Sequence, residues 1–168
     1  MPPEATLQPA LILIAAGLMA FACWHDLATR TLPDGVAIAL ALLGLAWQFT
    51  FGQPGWSILA AVLVFIGAAL VWRLGALGGG DVKMLAACAL LPNASAVPML
   101  LVVTALAGGI LALAYLAAQR LAPAGPAEAR LLPARVWRVE ARRMRRGGPL
   151  PYAFAITLGT LFSMMERI

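Results

Sequence analysis

The chain has 168 residues, 62% of them hydrophobic and 11% charged, with a formal net charge of +5. Soluble domains carry about 25% charged residues, so this composition excludes a soluble globular protein and leaves no room for a sizeable aqueous domain. It also argues against nucleic acid as a partner, because most of the basic residues lie in a single stretch between apolar runs.

Apolar runs of about 17 to 24 residues, the length that crosses a hydrocarbon core, follow one another between short polar breaks. They predict an all-α polytopic membrane bundle of about six transmembrane helices, forming a single domain over residues 1–168. The first span is expected from about Pro9 to Trp24, and the second from about Gly35 to Phe51, after the polar stretch His25 to Asp34. The turn Gly52-Gln53-Pro54-Gly55 leads to a third span, about Trp56 to Trp72. A glycine-rich break separates it from a fourth, about Val82 to Leu91, which is short for a full crossing. A fifth span is expected at about Ala96 to Ala118, a basic loop at about 119–149, and a sixth span at about Leu150 to Met165. Met1 to Gln8 carry no Lys or Arg, so no signal peptide is expected there.

Orientation follows from the basic residues. Arg30 follows the first span, Arg73 and Lys83 the third, and eight arginines the fifth, so that eleven of the twelve Lys and Arg fall on one side. The cytoplasm is assigned to that side and both termini to the other. The loop around Arg130 to Arg146 can form an arginine-rich helical face with Leu132, Val136 and Val139. It reads as an interfacial segment held on anionic membrane lipids.

Two acids, Asp26 and Asp81, then stand at similar depth at the cytoplasmic ends of spans far apart in sequence. Acids at that depth are costly and read as functional by default. A bundle that brings them together makes a carboxylate pair in which one member keeps a proton and the other stays charged. Such a pair can activate water against a peptide carbonyl without a metal. Taken singly, Asp26 fits an interfacial acid paired with Arg30 four residues on, and Asp81 fits a helix N-cap. Asp34, after Pro33 and before an apolar helix, fits N-capping better than catalysis. Lys83 reads as an interface anchor, and His25 as structural, since neighbours on a helix point apart. Cys23 and Cys88 stand alone in apolar segments and indicate neither a zinc site nor a disulfide. No cofactor or metal is expected.

Gly78-Gly79-Gly80-Asp81 matches the GxGD motif of intramembrane aspartyl proteases. Asp26, five residues, then Leu32-Pro33-Asp34 resembles the D-x5-[IL]-P-N segment of type IV prepilin peptidases, with Asp34 where that family usually has Asn. Gly79 to Met84 and Leu150 to Ile156 are similar to that family's second motif and to the opening of its last helix. The resemblance implies a bacterial inner-membrane aspartyl endopeptidase. Its catalytic pair would be Asp26 and Asp81, and its site would be shaped by Gly78, Gly79, Gly80, Lys83, Pro33, Pro151 and Tyr152. The implied partner is a prepilin-like protein with a basic leader, cut just after a glycine at the cytoplasmic face. The lack of a cysteine-bearing insertion between the first two spans resembles the short TadV/CpaA branch serving Flp pili, and implies no methyl transfer. The glycines would leave room for an extended substrate backbone. Three rival readings remain: a small membrane transporter, a non-catalytic pilus-assembly factor, and a protease that cuts within a membrane span.

Overall fold

The computed structural model describes residues 4–121 and 150–165. Among them are six α-helices: α1 (Glu4–Thr29), α2 (Asp34–Phe51), α3 (Pro54–Arg73), α4 (Gly79–Cys88), α5 (Val97–Leu121) and α6 (Tyr152–Met165). A 3-10 turn, Ala94–Ala96, leads into α5. No strand occurs among the described residues. The arginine-rich stretch around Arg130 to Arg146, expected on the lipid surface, lies outside them.

Four helices are long and apolar enough to cross a membrane: Leu7–Thr29, Asp34–Phe51, Pro54–Arg73 and Ala94–Ala117. Their outward faces carry Leu13, Phe21, Leu42, Leu63, Ile66, Leu106 and Ile110, all exposed. Apolar surface on that scale is tolerated against lipid and not against water. The helix α6 is a shorter apolar element of 14 residues.

The first span is longer than expected. Helix α1 continues past Trp24 to Thr29, where Thr29 Oγ1 donates to the His25 carbonyl over 2.8 Å. Arg30 closes it in a left-handed conformation, φ 59°, with its N–H donating to the Asp26 carbonyl over 2.8 Å. Asp26 therefore sits inside the last turn of α1 rather than in a connector beyond it.

The fourth expected span is a ten-residue helix, α4, rising about 15 Å against a hydrocarbon core of roughly 30 Å. The chain beyond it turns through Ala89, Leu90, Leu91 and Pro92, all buried. Irregular backbone survives at such depth only where protein satisfies its polar groups. Gln48 of α2 does so: it is fully buried, and its Nε2 donates to the Leu90 carbonyl over 2.8 Å and the Pro92 carbonyl over 2.7 Å. Gly44, one turn earlier, lets α2 approach closely, since a Cβ there would lie 2.6 Å from Leu90 Cβ.

Helix α4 is the centre of the bundle, packed on α2, α3 and α6, with α1 against α2 and α6. Met84, Cys88 and Leu91 meet Met19, Leu40 and Ile156 in the core. Helices α5 and α6 pack most extensively, through two glycines. A Cβ on Gly159 would meet Thr104 Oγ1 at 2.1 Å and the Leu100 carbonyl at 2.6 Å. A Cβ on Gly108 would meet the Tyr152 ring at 2.6 Å. Small residues let helix backbones come together where hydrophobic driving force is absent, and here they fix the height of the α6 N-terminus.

Candidate active site

Asp26 is only 6% exposed. Its Oδ2 accepts the backbone N–H of Ala153 over 3.2 Å. Ala153 is the second residue of α6, and N–H groups of a first helical turn have no partner inside the helix. Pro151, just ahead of α6, is buried and offers no N–H of its own. The Leu150-Pro151-Tyr152 segment thus delivers a helix N-terminus to the first acid.

Asp81 is the third residue of α4, and its Oδ2 accepts the Gly78 N–H over 3.2 Å. The N-cap itself is Gly78, so Asp81 caps the helix by reaching back rather than by standing at the cap. This geometry explains the glycine. A Cβ at position 78 would lie 2.7 Å from Asp81 Oδ2. A Cβ on Gly80 would lie 3.0 Å from Leu32 Cβ, so Gly80 lets α4 press on the connector that follows α1. At Gly79 the nearest atom would be Trp72 Nε1 at 3.6 Å, an ordinary contact. The room that a Cβ on Gly78 or Gly80 would take is occupied by the Asp81 carboxylate and by Leu32. Gly75, at φ 77°, supplies the left-handed turn that ends the approach from α3.

Both acids line one cavity of about 620 Å³, together with Arg30, Asp34, Leu77, Gly78, Gly79, Gly80, Leu150 and Tyr152. Among the described residues no histidine or cysteine lines it. Burial first, and the Asp26 carboxylate second, push the Asp81 carboxyl up to about 6, partly offset by the Gly78 hydrogen bond. The two groups therefore sense each other electrostatically across the cavity.

The other expected site residues fall into place around it. Tyr152 lines the cavity, whereas Pro33 and Lys83 line a neighbouring crevice with Leu32 and Gly80. Asp34 does not act as an N-cap: Pro33 holds that position with no side-chain cap bond. Asp34 Oδ1 instead accepts from Lys83 Nζ over 2.6 Å, on the exposed rim. Lys83 thereby ties α4 to the start of α2. His25 turns away, its Nδ1 2.7 Å from the Thr31 carbonyl and its ring against Phe21.

Sequence reasoning missed two contributors. Arg30, read as a topology marker and a partner for Asp26, lines the cavity with its Nη2 donating to Tyr115 Oη over 2.9 Å. The Ala153 N–H is a main-chain donor and has no side-chain signature to find.

Two carboxylates in unlike surroundings, facing one cavity, are equipped for general acid–base work. The sequence profile of the type IV leader peptidase family matches residues 13–113, more than half of the chain. The chain belongs to the type IV leader peptidase family. It is accordingly a peptidase built on a multi-pass helical membrane domain. The matched region runs from within α1 into α5 and includes Asp26, Asp34 and Asp81. No match was found among curated proteins or among solved structures.

Proposed function

We propose that this leader peptidase is an aspartyl endopeptidase. In this reading it removes the basic leader of type IV prepilins of the Flp class at the cytoplasmic face of a bacterial inner membrane, without methyl transfer. The observation that carries the reading is the cavity shared by Asp26 and Asp81, with Asp81 pushed up to about 6 partly by its neighbour.

In this reading Asp81, raised by burial and by the Asp26 charge, serves as the acid of the pair. Asp26, held by the Ala153 N–H, takes a proton from a water molecule as that water attacks the scissile carbonyl carbon. Asp81 gives its proton to the carbonyl oxygen. As the tetrahedral intermediate collapses, one of its hydroxyl protons returns to Asp81, the C–N bond breaks, and the proton held by Asp26 passes to the leaving amine, which restores both acids. General acid–base assistance of this kind contributes about 10²–10⁴-fold in rate. The arginine excess near the α1, α4 and α6 ends around the cavity supports a cytoplasmic opening.

The test is cleavage of a candidate prepilin co-expressed with wild type, Asp26→Ala or Asp81→Ala, read as a mobility shift. Loss of cleavage in both variants at normal membrane levels is the expected result. Cleavage surviving in either variant overturns the two-aspartate mechanism.

A further inference from the structure

Two apolar grooves open to lipid beside the cavity. One, of about 590 Å³, lies between α2, α3 and α4 and meets the cavity only at Asp34. There the Asp34–Lys83 ion pair spans its mouth. The other, of about 540 Å³, lies between α3 and α5 over a floor from α4. Helices α3 and α5 barely touch, so this second groove is a lateral gap in the bundle. Leu77 and Tyr152 line both it and the cavity.

We propose that the α3–α5 groove seats the apolar membrane segment that follows the scissile bond of the substrate, so that the cut site enters the cavity past Leu77 and Tyr152. This rests on the leader-peptidase reading and adds to it the surface that selects the substrate. A protein cut where a basic leader meets an apolar helix must present that helix from lipid while its junction reaches the acids. The groove provides such a track. Its α3 wall, from Ala60 to Val71, rises about 17 Å, ending beside the cavity. Gly67, Ala68 and Ala105 lower its sides, which lets a helix backbone approach closely. Charge is absent along it, whereas the rival groove carries Lys83 and Asp34.

Gly67 makes the test clean, because a Cβ there meets nothing within 4 Å and a larger side chain fills the groove without displacing the bundle. The substrate is a prepilin with its basic leader and full apolar helix, assayed with the full chain in detergent. Gly67→Leu is expected to raise KM about tenfold with kcat within about twofold. Gly17→Leu, at an equally open site on α1, is expected to leave both unchanged. An unchanged KM for Gly67→Leu, or a loss confined to kcat, overturns the proposal. A photo-crosslinking residue at position 63 on the groove wall, in an Asp26→Asn and Asp81→Asn background, gives a second measure. It is expected to capture the prepilin's apolar segment, whereas the same residue at position 38 in the other groove is not. Capture from position 38 alone, or of lipid alone from position 63, overturns the docking surface. Failure of wild type to cut the prepilin is a separate outcome, since it overturns the leader-peptidase reading itself.

Discussion

The Ala153 N–H donates to Asp26 Oδ2 across 3.2 Å, joining the last helix to the first at the wall of the cavity. The Cys23 Sγ–Thr157 Oγ1 contact of 3.2 Å ties the same two helices one turn away, and the Ala153–Asp26 bond depends on where α6 starts. Ala153→Pro deletes this N–H at a first-turn position where proline does not break the helix. Cleavage is expected to fall about 10–100-fold while membrane insertion persists, measured as single-turnover rates against expression level.

The pH dependence follows from Asp81, which stands in the first turn of the short helix α4. Its carboxyl is pushed up to about 6, by burial first and by Asp26 second. The acid role needs the protonated form, so kcat/KM is expected to decline as pH rises through about 6. The same raised value has a stability consequence. Between the ordinary carboxylate value and about 6, the folded chain holds a proton that the unfolded chain has released. Stability from this group is therefore present at low pH and lost as pH rises through that window. In Asp26→Asn the second cause disappears, and the Asp81 midpoint is expected to move down while burial keeps it above an ordinary carboxylate. Carbon-13 NMR of labelled aspartate in detergent micelles reads this directly, and an unmoved midpoint would contradict coupling between the two acids.

The three glycines before Asp81 are expected to differ in a way the motif does not suggest. Gly78→Ala places a methyl 2.7 Å from Asp81 Oδ2, so the carboxylate must leave its N–H partner, and cleavage is expected to fall at least about tenfold. Gly80→Ala meets Leu32 Cβ at 3.0 Å, a contact that a small shift of the connector relieves, with an intermediate loss. Gly79→Ala meets only ordinary contact and gains helix propensity, stabilising by up to about 1 kcal/mol with activity retained. Cleavage assays and thermal melts on the three variants check the order.

The helical membrane class was legible because long apolar runs have one common solution in lipid, and the two acids were legible because charge at that depth is costly. The length of α1 was not. Its last turn is polar, so the hydropathy pattern ended at Trp24 while hydrogen bonding carried the helix to Thr29. The role of Asp34 was misread because Pro33-Asp34 before an apolar helix looks like a cap, and a lysine 49 residues away gives no local sign of claiming it. Arg30 and the Ala153 N–H entered the site through tertiary placement alone. The glycine run was seen as a backbone break, but what each glycine makes room for became visible only with Leu32 and the Asp81 carboxylate in position.

The Asp34–Lys83 pair is short but exposed, with side chains 65% and 51% accessible. Exposed ion pairs contribute about 0–1 kcal/mol. Lys83→Ala is expected to change the melting temperature little and to leave kcat within about twofold, because neither group of the pair carries the reaction. A hundredfold loss of kcat in Lys83→Ala would instead place the lysine in the chemistry.

Gln48 carries the strongest stability prediction. It is fully buried, and its amide N–H groups satisfy the Leu90 and Pro92 carbonyls just where α4 stops short of a full crossing. Gln48→Leu keeps the approximate volume and removes both donors, leaving two carbonyls unsatisfied away from water. Each unsatisfied buried group costs about 1–3 kcal/mol, so a total loss of about 2–6 kcal/mol is expected. Because α4 carries Asp81 at its other end, the damage is transmitted along a ten-residue helix to the cavity. Thermal melts in detergent should show the destabilisation. At temperatures where the variant remains folded, KM should stay near wild type while kcat falls, since the groove walls on α3 and α5 are untouched. A Gln48→Leu variant as stable as wild type would mean that the buried turn after α4 satisfies its carbonyls by another route.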